Sequence, residues 1–149
     1  MKKRIVPDIV DQQELWTITP QTTVREAARM MAHRRIGAVM VLLEGRLVGV
    51  FSERDLGVRV VAQGLDPDTT LVSAVMTGNP VTIGPKAAAE DALGLMREHG
   101  FRHLPVVDNA KVVGMVSVRD LYDAVQAQLA EDLQERDAYI FGSGYGVTA

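Results

Sequence analysis

The sequence repeats itself at a constant offset of 65 residues, and this repetition limits the architecture more than any other feature. Thr17–Leu56 laid over Thr82–Leu121 without a gap brings Thr17, Ile18, Pro20, Ala27, Met31, Val41, Val48 and Gly49 onto residues of the same type. The agreement is densest where Gly49-Val50-Phe51-Ser52-Glu53-Arg54-Asp55-Leu56 meets Gly114-Met115-Val116-Ser117-Val118-Arg119-Asp120-Leu121. A register held across forty positions is an internal duplication. Two copies of so small a unit are expected to build one domain together, with equivalent residues facing each other across a pseudo-two-fold axis.

Composition narrows the function classes. The 149 residues are enough for one compact domain with a shared core. With 47% hydrophobic and 23% charged residues, the balance is that of an ordinary folded protein and not of a disordered one. The net charge is −3, and the one basic cluster near a terminus is Lys2-Lys3-Arg4. Nucleic-acid binding needs a basic face, so no nucleic-acid partner is expected. The absence of cysteine excludes disulfides and thiolate metal sites and fits a reducing compartment. Met1–Arg4 leads into Val6-Pro7-Asp8 and not into the apolar stretch of a signal peptide. The longest apolar run, Ala38–Leu43, is too short to span a bilayer. A cytoplasmic protein without a membrane partner is the expectation.

Each copy reads as strand, helix, strand, strand, helix, giving an α/β (α+β) fold of two βαββα repeats. In the first copy, Leu15–Ile18 is a short strand closed by Thr19-Pro20. Val24, Ala27, Ala28 and Met31 then recur at helical spacing, and Thr23 with Glu26 fits a capping box. Ile36–Leu43 is a buried strand, Glu44-Gly45 a turn, and Arg46–Phe51 the returning partner. Ser52 begins a second helix running to about Ala62. In the second copy Ala88 replaces the capping Thr23, and Gly94 sits inside the helix, so this first helix is expected to be the looser of the two. Gly64–Thr70, with Pro67 and two aspartates, reads as the linker. The implied division is residues 1–65, 66–128 and a C-terminal extension, 129–149.

The extension has no counterpart in the first copy. Val125–Asp137 prolongs the last helix, and Tyr139-Ile140-Phe141 leads into Gly142-Ser143-Gly144-Tyr145-Gly146. A phosphate-binding glycine loop joins a strand to a helix, whereas this stretch follows a helix. It reads as a patch that docks on a neighbour.

A tandem βαββα unit in which Gly-x-x-Ser-x-x-Asp ends each hairpin resembles the CBS-domain pair, or Bateman module. Phe101-Arg102-His103-Leu104-Pro105-Val106-Val107-Asp108 is also similar to that family's second-strand motif. The resemblance covers about Ile5–Val125, and the whole chain resembles stand-alone bacterial two-CBS proteins. It implies two pseudo-symmetric repeats packed as one module that binds adenine nucleotides in clefts between the copies and pairs into flat discs.

The signature residues carry two readings. Ser52 and Ser117 stand where a strand ends and a helix begins, each with an aspartate at the third helical position, which is a capping box that needs no ligand. A carboxylate is also a two-oxygen acceptor that matches the cis-diol of a ribose. The resemblance implies this second role for Asp55 and Asp120, with Ser52 and Ser117 near sugar or phosphate. The two roles are compatible, since one oxygen can cap while the other meets sugar.

The copies differ in the next strand. Arg102-His103 in copy two aligns with Gly37-Ala38 in copy one. The family's phosphates are often met at these positions, and Arg offers a planar fork with His as a second donor. The expectation is a phosphate-competent cleft around Asp120 and a more permissive one around Asp55, where Gly37 and Ala38 leave room. Arg54 and Arg119 can reach phosphate or lie in solvent, while Arg34 and Arg35 read as partners of a helix C-terminus. His99 and His103 are separated by the helix breaker Gly100, which argues against a metal pair. No catalytic base, nucleophile or metal set emerges. The reading is a non-enzymatic sensor for an adenosyl ligand, AMP first, with ADP, ATP, NAD(H) and S-adenosylmethionine open. It is expected to form a homodimer and to act on an unknown protein partner. The competing reading is a ligand-free structural homodimer whose Ser-x-x-Asp motifs only cap helices.

Overall fold

The duplication governs the order of elements in the computed structural model, which describes residues 2–140. Copy one comprises β1 (Thr17–Ile18), α1 (Val24–Arg34), β2 (Ala38–Leu43), β3 (Arg46–Ser52) and α2 (Glu53–Asp55), the last continuing as a π-helical stretch over Leu56–Val61. A connector follows, with α3 (Val72–Val75) and β4 (Thr77–Gly78). Copy two comprises α4 (Ala89–His99), β5 (His103–Asp108), β6 (Lys111–Ser117) and α5 (Val118–Tyr139). The counterpart of β1 is reduced to one parallel bridge, Ile83 to Val106. The expected extension of the last helix is present in α5, and Phe141 and the glycine-rich stretch lie outside the described residues.

The chain forms two compact units. One contains Gln12–Ile83 and Leu104–Met115; the other contains Met1–Asp11, Gly84–His103 and the chain from Val116. In the first, β1-β2-β3-β4 form a sheet in which β1 lies parallel to β2 and the remaining neighbours run antiparallel. Val24, Ala27 and Met31 from α1 meet Val39 and Val41 from β2, Phe51 from β3 and Val60, Val72 and Val75 in one buried cluster. The helical spacing and the run of small and β-branched residues in the strand therefore serve one core. The hairpin turn is Glu44-Gly45, with φ of 52° and 77°, the two positive values that a twisted two-residue turn needs. Asn109 and Ala110 repeat it at 50° and 66°.

Helix capping differs between the copies. At α1, Thr23 accepts from the Glu26 amide while Glu26 accepts from the Thr23 amide, a complete box. At α4, Asp91 still accepts from the Ala88 amide at 3.1 Å, but Ala88 has no oxygen to return the bond. The helix starts are also held from outside, by a device that carries no side-chain signature. The Val24 amide donates to Thr70 O, and the Val72 amide donates to Thr22 O. At α4 the Ala89 amide donates to Lys3 O, and the Ile5 amide donates to Ala87 O. Each copy's first helix is thus clasped by the segment leading into the other copy, with Val72 and Ile5 both fully buried.

Candidate functional site

Both signature motifs fold alike. Ser52 and Ser117 leave their strands extended, at φ/ψ of −112°/165° and −103°/162°, and become N-caps. Asp55 Oδ2 accepts from the Ser52 amide at 2.9 Å and from its hydroxyl at 3.1 Å, while the Asp55 amide donates to Ser52 Oγ. Asp120 Oδ2 accepts from the Ser117 amide at 3.0 Å, and the Asp120 amide donates to Ser117 Oγ at 3.2 Å. Each aspartate therefore spends one carboxylate oxygen on its helix.

Backbone bonds bring the preceding strand to the same place. The Glu53 amide donates to Gly37 O at 2.9 Å, and the Val118 amide donates to Arg102 O at 2.9 Å. Ala38 pairs with Ser52 across the β2–β3 ladder and is fully buried. Gly37, Ala38, Ser52 and Asp55 are thus gathered in one unit, and Arg102, Ser117 and Asp120 in the other. His103 opens β5 as Ala38 opens β2. Arg102 is exposed and His103 half-buried; Arg54 and Arg119 lie on the first turns of their helices, both exposed.

The second oxygens differ. Asp55 is 9% exposed, and its Oδ1 meets the Thr77 hydroxyl at 3.5 Å and Arg59 Nε at 3.7 Å. Asp120 is exposed, and among the described residues nothing comparable stands at its Oδ1. Arg59 and Thr77 were not singled out from the sequence. The available signal was the copy-two counterpart of Arg59, which is Ala124, four residues past the aspartate, where a helix places a side chain beside it. Thr77 carried no signal, because β4 is only two residues long.

Arg34 and Arg35 also have distinct roles. The Arg34 guanidinium lies 3.9 Å from the centre of the Trp16 ring, a cation–π contact. Arg35 is the αL C-cap of α1 at φ 56°, where copy two has Gly100 at 74°. His99 stacks on Phe101, with ring centres 5.9 Å apart. No helix among the described residues is long and apolar enough to cross a membrane.

A duplicated strand–helix unit with paired Ser-x-x-Asp caps defines a tandem class of regulatory module. The chain belongs to the CBS-domain family, whose model matches twice, at residues 4–56 and 72–127. It is 41% identical over 105 residues to the CBS domain-containing protein YhcV of Bacillus subtilis, covering 70% of this chain and 74% of that protein. It is 43% identical over 111 residues to CBSCBSPB2 of Arabidopsis thaliana, covering 73% of this chain but only 21% of that longer protein. Among solved structures, the CBS domain protein PAE2072 of Pyrobaculum aerophilum, complexed with AMP, superposes with a TM-score of 0.71 at 33% identity. That match covers 80% of this chain and 93% of that one.

Proposed function

We propose that this CBS pair is an adenine-nucleotide sensor and not an enzyme, with AMP the leading ligand. The observation that carries this reading is the state of Asp120: one oxygen caps α5 while the carboxylate is exposed beside the strand end that bears Arg102. A ribose diol can donate to such a carboxylate, and an arginine fork can take a phosphate. The AMP complex of the Pyrobaculum relative supports the same ligand class. ADP, ATP and NAD(H) share the adenosyl group and belong in the same test. Binding would act on a protein partner by favouring one conformation over another.

The decisive experiment is calorimetric titration of AMP into the wild type and Asp120→Ala. A charge-assisted hydrogen bond contributes roughly 1.5–3 kcal/mol, so the variant is expected to bind at least about tenfold more weakly. The second reading, a ligand-free homodimer, is favoured by the completeness of both capping boxes. It wins if Asp120→Ala lowers thermal stability by the ~1 kcal/mol of a lost cap and no adenine nucleotide binds the wild type.

Self-association is part of the proposal. Val58 and Val61, on the helix after Asp55, are 55% and 70% exposed, and Leu65, just past its end, is 41% exposed. Their copy-two counterparts are Asp123, Gln126 and Ala130, and α5 exposes Tyr122, Leu129 and Leu133 at other positions. A closed two-fold pair would cover such side chains. Light scattering that gives a stable 16.2 kDa monomer at micromolar concentration would refute the homodimer.

A further inference from the structure

We propose that the connector between the copies is a built-in competitor for the Asp55 carboxylate, with Arg59 and Thr77 setting how readily that site accepts a cis-diol. The proposal rests on reading the two aspartates as ribose acceptors. Arg59 holds three acceptors at once. Its Nη1 donates to Met76 O at 2.9 Å and to Val75 O at 3.3 Å, while Nε lies 3.7 Å from Asp55 Oδ1. Thr77, the next residue along, points its hydroxyl at the same oxygen at 3.5 Å. The connector is kept there by β4, which pairs Thr77 with Val50 and Gly78 with Gly49.

Gly49 is what permits the approach. A Cβ at this position would stand 2.5 Å from Met76 Sδ, closer than such atoms pack, and 3.0 Å from Thr77 O, a tight contact. The first residue of the copy-one signature therefore clears the path for the segment that reaches the last. Copy two lacks the cationic half of the arrangement, because Ala124 stands where Arg59 does.

The chemistry follows from what a diol needs. Two hydroxyl donors require open acceptor positions on the carboxylate, and at Asp55 Oδ2 is already spent on Ser52. Oδ1 is approached by a hydroxyl and a guanidinium, both at long distance. Contacts of this length are displaceable, so they weaken the ligand and do not exclude it. Among the described residues Asp120 has neither, so a nucleotide fills the Asp120 site first and reaches Asp55 by taking the place of Thr77 and Arg59. Occupancy at Asp55 then loosens the hold of Arg59 on the connector.

The test uses the full chain with Asp120→Ala, which leaves Asp55 as the acceptor. AMP and 2′-deoxy-AMP are titrated into this variant, and into the same variant carrying Thr77→Val, alone or with Arg59→Gln. Thr77→Val keeps the shape of the side chain, and Arg59→Gln keeps a side-chain donor for Met76 O, so both leave the connector anchored. Exposed charge pairs and single hydroxyl contacts translate into about two- to fivefold effects on affinity. AMP is expected to bind about fivefold tighter with both changes and about twofold tighter with Thr77→Val alone, while 2′-deoxy-AMP, lacking the diol, does not gain. Unchanged or weaker AMP binding in both variants, with the wild type still binding AMP, overturns the competition alone. Failure of the wild type to bind any adenine nucleotide overturns the ribose reading, and the competition falls with it.

Discussion

Asp55 and Asp120 occupy one position in two copies of one motif, with the same cap geometry to within 0.1 Å at the serine amide, 2.9 Å against 3.0 Å. Their outer oxygens nevertheless face different chemistry: a threonine and an arginine in copy one, and exposure in copy two. The strands beside them diverge as well, since Gly37-Ala38 offers no charge and Arg102-His103 brings a guanidinium and an imidazole. Duplication thus preserved the helix cap, which local folding requires, while the groups around it drifted apart. A cap is a local arrangement between neighbours in sequence, whereas the surroundings of the second oxygen depend on distant segments.

The largest expected effect tests the close approach on the copy-one side. Gly49→Ala forces a methyl group against Met76 and the Thr77 carbonyl. Overpacking of this kind costs about 1–3 kcal/mol, so chemical denaturation should show a loss in that range. A neutral result would mean that β4 yields easily and cannot compete at Asp55.

The next test acts on copy two. Arg102→Ala with His103→Ala removes charge-assisted bonds that adenosine cannot form, and AMP affinity should fall about tenfold, to the level of adenosine. A preference for AMP that survives the double variant would move phosphate recognition to Arg54 or Arg119 and erase the asymmetry.

Three smaller effects concern α1 and α4. Ala88→Ser supplies the missing half of the α4 capping box, and should raise stability by about 0.5–2 kcal/mol. The reverse change in copy one, Thr23→Ala, should cost a similar amount. Gly94→Ala should add about 0.5–1 kcal/mol, because Gly94 lies inside α4 and a Cβ there meets nothing within 4 Å. Thermal unfolding of the two α4 variants together tests whether the first helix of copy two is the looser one. Equal gains from matching changes in both copies would remove that difference.

The elements with strong periodicity were legible in advance. The stripe Val24, Ala27, Met31 is buried as the spacing implies, and β2 and β5 begin 65 residues apart, as do β3 and β6. The capping boxes at Ser52 and Ser117 were readable because they are contiguous. The connector was not. Four residues of α3 and two of β4 are too short to set a period, and the place of β4 comes from pairing with β3. The Arg59 contact was equally hidden, since its principal partners are main-chain carbonyls of Val75 and Met76. Backbone acceptors are supplied by every residue type, and so leave no trace in composition.

The reciprocal clasp at the two helix starts has a consequence for how the molecule can be divided. Lys3 and Ile5 close α4, and Thr70 and Val72 close α1, so each closing strip lies on the far side of a cut at the middle of the chain. A polypeptide severed after residue 65 would leave each piece holding the other's fastening and missing its own. The fragments should be poorly ordered when made separately and regain structure when mixed, in the manner of complementing halves. The repeat visible in the sequence is therefore a unit of inheritance, while the unit of folding is the pair.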